Sequence, residues 1–129
     1  MTSMEDNKLL LVLVPLIVTL AGNITSSVSA IDPALSVIIP LGASSPDSGN
    51  GFFPNTLPVK AGDTVTWTND DSALHTVTSG LPGDYNPGTE FDSSSLAPGT
   101  TFQHTFAIGG LFNYYCTLHP YMTGNIVVS

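Results

Sequence analysis

The sequence contains no arginine and only two lysines, Lys8 and Lys60, against ten acids, for a net charge of -8 over 129 residues. Only 9% of its residues are charged, against about 25% in an ordinary soluble domain. A nucleic-acid reader needs a basic face to replace the counterions of phosphate, so that class is excluded. Anionic lipid headgroups are excluded as partners on the same ground. A single cysteine, Cys116, rules out an internal disulfide, a thiolate cluster and a binuclear copper centre bridged by two cysteines. With three histidines in all, the His-rich multicopper enzymes are out of reach as well. Residues 31–129 also lack long stretches of 3.6-residue periodicity, and there is no internal repeat. The chain is nevertheless 42% hydrophobic, with one Trp, six Phe and four Tyr, which is enough for a real core and argues against disorder.

One apolar run is present, Leu9 to Leu20 (LLLVLVPLIVTL). Twelve to fourteen apolar residues suit the central region of a signal peptide, whereas a spanning helix needs about 20. Val28-Ser29-Ala30 supplies the small-residue pattern that precedes a cleavage site, so residues 1–30 are expected to be a signal peptide cut after Ala30. Glu5 and Asp6 are unusual there, and an uncleaved anchor, giving contact with a membrane through this segment alone, is the alternative. In either case residues 31–129 are delivered outside the cytoplasm: secreted, periplasmic or pseudo-periplasmic, or held on the outer face of the membrane. A free thiol in such a compartment is a chemical liability and implies a task.

Residues 31–129 read as short alternating runs cut by Gly, Pro, Asn and Asp. Strands are predicted at 34–39, 57–60, 64–68, 75–78, across Phe102, His104 and Phe106, and at 112–116 and 125–128. Val65 and Trp67 face the core with Thr64, Thr66 and Thr68 outward, and Phe102, His104 and Phe106 share a face. Of Tyr114 and Tyr115, one should be core and the other near solvent. Seven or eight strands with regular turns predict an all-β fold, a Greek-key two-sheet antiparallel β-sandwich in one domain.

The chemistry concentrates in Cys116-Thr117-Leu118-His119-Pro120-Tyr121-Met122. A thiolate, an imidazole and a thioether from one loop suit copper, because soft sulfur favours Cu(I) while imidazole serves both oxidation states. A trigonal site needs one more nitrogen, and His75, just after the Asn69-Asp70-Asp71-Ser72 turn, can supply it. Two His, one Cys and a weak axial Met form the ligand set of a mononuclear blue-copper electron-transfer centre. Each alone has a blander reading, Cys116 as a small buried hydrophobe and Met122 as core filler. His104, between two phenylalanines, reads as a partly buried structural histidine. Asp70, Asp71, Asp84, Glu90 and Asp92 read as a solvated acidic rim that could steer a basic partner.

The sequence resembles the cupredoxin family, small type 1 copper proteins such as plastocyanin and amicyanin, and is also similar to small secreted archaeal copper proteins. The residues that carry the resemblance are Phe53-Pro54-Asn55, Leu57 through Trp67, Leu74-His75-Thr76-Val77 and Phe112 through Gly124. The short His119-x2-Met122 spacing is closer to amicyanin than to plant plastocyanin. The resemblance implies His75, Cys116, His119 and Met122 as ligands of a single copper ion. The expected function is a carrier of single electrons between redox protein partners, and the chain is expected to be a monomer. His119 lies in a loop with Leu118, Pro120 and Tyr121, so partners are expected to dock near it, on an apolar patch ringed by Leu74 and Leu81. Thr76 departs from the family pattern, where many members have Asn that ties the two ligand loops; a threonine hydroxyl can supply only part of that bond. Two other classes are compatible with the residues: an open-site copper oxidoreductase acting on a small molecule such as a nitrogen oxide, and a copper carrier or store.

Overall fold

The computed structural model describes residues 35–129; the expected signal segment, 1–30, lies outside the described residues. Seven strands form two sheets: β1 (Ser36–Ile39), β2 (Thr56–Val59), β3 (Thr64–Asn69), β4 (Thr78–Ser79), β5 (Thr101–Thr105), β6 (Gly110–Tyr115) and β7 (Thr123–Val128). One sheet runs β1-β3-β5 and the other β2-β7-β6-β4, so the chain changes sheet at every connection except the β6–β7 hairpin. Among the described residues no helix is long and apolar enough to cross a membrane.

The sandwich differs from the expected antiparallel one, because β1 pairs with β3 and β2 with β7 in parallel. Both sheets are therefore mixed. Parallel neighbours need a long crossover, and here the crossover from β1 to β3 passes through β2 in the opposite sheet. The expected strand at 75–78 shrinks to Thr78–Ser79, with His75 held instead by an isolated bridge to Leu96.

Trp67 is the hub of the core. Its ring centroid lies 5.5 Å from Tyr114, 5.7 Å from Phe102 and 5.8 Å from Phe91, separations at which aromatic pairs add to the gain from burial alone. Val65 and Trp67 point inward as alternation requires. Thr66 is buried too, covered by Gln103, whose side-chain amide donates to its hydroxyl at 3.0 Å. His104 is half-buried, stacked between Phe91 at 4.9 Å and Phe106 at 4.8 Å, and is structural as expected. Tyr115 is buried along with Tyr114, contrary to the alternation argument; it sits on the β4 side of β6, opposite Thr78.

The Tyr114 ring lies across Gly124, its cross-strand partner. A Cβ at Gly124 would stand 2.6 Å from both Cζ and Oη of Tyr114 and 3.1 Å from the Asn55 carbonyl oxygen. The backbone there cannot retreat, because Asn125 donates to that same carbonyl at 2.9 Å. Gly124→Ala should therefore destabilise the fold by about 1–3 kcal/mol through overpacking, read as a lower midpoint in denaturant unfolding. An unchanged midpoint would show that the Tyr114 ring can swing aside.

Candidate metal centre

The β6–β7 hairpin carries the Cys116–Met122 loop. Its ladder ends at the Tyr115–Thr123 pair, and the Cys116 amide donates to the Met122 carbonyl at 3.1 Å. Inside that closure the chain makes two successive three-residue turns, His119 N–H to Cys116 C=O at 3.2 Å and Met122 N–H to His119 C=O at 2.9 Å. Residues three apart in such turns stack on one side. The first two-residue gap thus brings Cys116 and His119 together, with Sγ and Nδ1 3.6 Å apart. Cys116 is fully buried, Met122 is 1% exposed, and His119 is half-buried.

His75 arrives from the other side. Its backbone exchanges two hydrogen bonds with Leu96, at 2.8 and 3.3 Å. The fully buried Asn69 side chain shapes the turn before it, donating to the carbonyls of Ala73 and Leu96 and accepting from the Asp71 amide, all at 2.9 Å. The outcome is one Sγ and two imidazole nitrogens in reach of a single ion. Cys116 Sγ lies 3.6 Å from Nδ1 of His75 and 3.6 Å from Nδ1 of His119, and the three donors lie within 4.8 Å of one another. A planar trigonal ion with bonds of about 2.0–2.3 Å, as for imidazole and thiolate on zinc, would separate N from S by about 3.8 Å. The donor set and its spacing fit a metal of copper's preferences.

Cross-ties hold the two ligand loops together. The Thr76 amide donates to Cys116 Sγ at 3.3 Å, and the Thr76 hydroxyl accepts the Thr117 amide at 2.8 Å and lies 3.1 Å from the Thr117 hydroxyl. Threonine therefore makes the inter-loop tie that the family pattern assigns to asparagine. Burial pushes the His119 imidazolium down, neighbouring His75 pushes the same way, and Asp71 opposes both. His119 is thereby favoured as the neutral form that a metal needs.

Asp71 corrects the reading of an acidic rim. Asp70, Asp84, Glu90 and Asp92 are exposed, but Asp71 is 3% exposed and its Oδ2 lies 2.7 Å from His75 Nε2. Burial pushes its carboxyl up; the bond to His75 and the amides of Gly42, Ser72 and Ser44 outweigh that and hold it at about 2. Two further residues lie in segments the sequence singled out but have roles it did not assign. Asn69 is one; the other is Tyr121, whose hydroxyl donates to the Ala43 carbonyl at 2.9 Å. The four-residue step from Asp71 to His75 was a local signal for the first contact, whereas nothing in the sequence marks Ala43.

Residues 43–129 match the copper binding proteins of the plastocyanin/azurin family. The chain belongs to that family. It is 35% identical over 74 residues to amicyanin of Paracoccus denitrificans, covering 56% of this chain and 53% of that protein. It is 33% identical over 99 residues to plastocyanin of Scenedesmus fuscus, covering 71% of this chain and 98% of that one. Among solved structures it is similar to a purple cupredoxin from Nitrosopumilus maritimus. The TM-score is 0.67 at 36% identity, over 73% of this chain and 98% of the other. The match thus spans about half the length of that amicyanin and nearly all of the two smaller proteins. The fold is that of a cupredoxin, and the site fits one type 1 copper centre.

The cross-tie has a measurable consequence. Thr76→Val keeps the shape but leaves the Thr117 amide without its acceptor, and should cost about 1–2 kcal/mol of stability in the metal-free protein. Urea unfolding of the two proteins side by side measures it. Equal stability would mean that solvent replaces the bond.

Proposed function

We propose that this cupredoxin shuttles single electrons between larger redox proteins, with copper held by His75, Cys116 and His119 and weakly by Met122. The observation that carries the reading is the asymmetry of the donors. His75 and Cys116 are fully buried, while only His119 among the three donors reaches the surface. Its own loop supplies exposed apolar side chains beside it, Leu118 and Tyr121, and Leu74 next to His75 is also half-exposed. An imidazole edge in an apolar surround is a place for brief docking through a small interface. Copper bound there supplies the one-electron couple, and Cys116 gives it a sulfur ligand at the end of β6. The cross-tied loops keep the donors in one geometry, so little protein moves when an electron arrives. The amicyanin and plastocyanin likenesses support the carrier reading. We place the mature domain, residues 31–129, outside the cytoplasm as a monomer, after removal of residues 1–30 or tethered by them.

A second reading has one observation in its favour. Met122 lines a groove of about 970 Å³, together with Phe52, Phe53, Pro54 and Tyr121. A small molecule that reached the metal past Met122 would make the centre an oxidoreductase. Added azide or nitrite separates the two: an unchanged spectrum supports the carrier, and a colour change supports the enzyme.

The first experiment is a visible spectrum of the domain loaded with Cu(II). An intense thiolate-to-copper charge-transfer band is expected, lost in Cys116→Ser and kept in Met122→Leu with a raised reduction potential. A Cys116→Ser protein that stays intensely coloured ends this assignment. Copper should also stabilise the native state, by about 4 kcal/mol at a free concentration 1,000 times its dissociation constant. A melting temperature that does not respond to copper would count against a preformed site.

A further inference from the structure

Asp71 Oδ1 accepts the amides of Gly42 at 2.9 Å and Ser72 at 2.8 Å; Oδ2 faces the Ser44 amide at 3.1 Å and His75 Nε2 at 2.7 Å. Three of these four contacts are obligatory donors, so the group is an acceptor on both oxygens and His75 Nε2 must carry the hydrogen between the two residues. That fixes the imidazole tautomer. Nδ1 is left with its lone pair, on the side where Cys116 Sγ stands 3.6 Å away. Both side chains are essentially without solvent, at 0% and 1% exposure, so water screens the pair little.

Two of the donors come from residues nearly thirty positions earlier. Gly42 and Ser44 flank Ala43, which is fully buried and whose carbonyl accepts the Tyr121 hydroxyl. The 42–44 segment thus grips the His75 side through Asp71 and the Cys116–Met122 loop through Tyr121, while contributing no donor of its own to the metal.

We propose that Asp71 is a positioning residue that biases the copper centre towards its oxidised state, and that the 42–44 segment holds its carboxylate against His75 for that purpose. A full negative charge behind the imidazole raises the basicity of Nδ1 and stabilises the more highly charged ion more strongly. Binding of Cu(II) therefore gains more from Asp71 than binding of Cu(I). The inference rests on the reading of His75, Cys116 and His119 as copper ligands.

The test uses Asp71→Asn, which keeps the size and one acceptor oxygen but replaces the other oxygen with an amide donor and removes the charge. It should retain the charge-transfer band and lose Cu(II) affinity about 10–100-fold, with a smaller loss for Cu(I). Each tenfold difference between the two losses appears as a rise of about 59 mV in the one-electron potential. A coloured variant with the wild-type potential overturns the inference. A wild-type protein without the band instead overturns the ligand assignment, so the two failures are distinct. Nitrogen NMR of the His75 ring in the metal-free wild type gives a readout independent of both copper and the variant's folding. Of the two neutral tautomers, the one with hydrogen on Nε2 and a bare Nδ1 is expected, and the opposite tautomer overturns the inference.

Discussion

Everything around the site follows from one requirement: a thiol sulfur must sit 3.6 Å from two imidazole nitrogens supplied by separate loops. The loops hang from different places, one joining β6 to β7 and the other leading from β3 towards β4. A pair of flexible loops would spread such donors over many separations, and ordering them would cost conformational entropy each time a metal bound. The protein meets this with backbone bonds. Successive turns lock the spacing within the Cys116–Met122 loop, Leu96 and Asn69 lock His75, and Thr76 bonds one loop to the other.

The aromatic core is what those bonds are anchored to. Tyr114 lies two residues before Cys116 on β6, and Trp67 lies two residues before Asn69 on β3. The two rings pack edge to face at 5.5 Å. Each ligand loop thus leaves a strand whose adjoining inward residue belongs to the same tightly packed cluster. Because a packed interior resists deformation, fixing Trp67 against Tyr114 fixes the roots of both loops. Gly124 serves the same end from β7, by leaving the space that the Tyr114 ring occupies.

How much of this was legible depended on how local its physics is. The Cys-x2-His-x2-Met run could be read because three-residue turns are local, and His75 because copper's preference for a second imidazole left few candidates. Val65 and Trp67 followed from alternation. Alternation carries no strand direction, so the parallel β1–β3 and β2–β7 pairs were invisible to it. Nor does it report what covers a strand's second face, which is why Thr66 and Tyr115 are buried where solvent was expected. Asp71 was misplaced for a related reason. Beside Asp70 in a polar turn it looks solvated, and its burial depends on amides at Gly42 and Ser44 brought in by tertiary structure.

Of the acids left in the rim once Asp71 is removed, two have ordinary local tasks. Asp84 accepts the Leu81 amide and Asp92 the Ser94 amide, each closing a short turn, as Asp63 outside the rim does with the Lys60 amide. Among the described residues helix is scarce and turns are frequent, and aspartate closes turns well because its carboxylate bonds backbone close by. That accounts for the type and position of these residues without any partner. It does not cancel their charge: Asp84 and Asp92 remain exposed, and Lys60 is the only lysine or arginine in the described residues. A charge placed for a turn still contributes to the field at a distance, so the turn role does not remove the acidic character of this face. Asp71 is the opposite case, a charge kept from water and in direct contact with one imidazole.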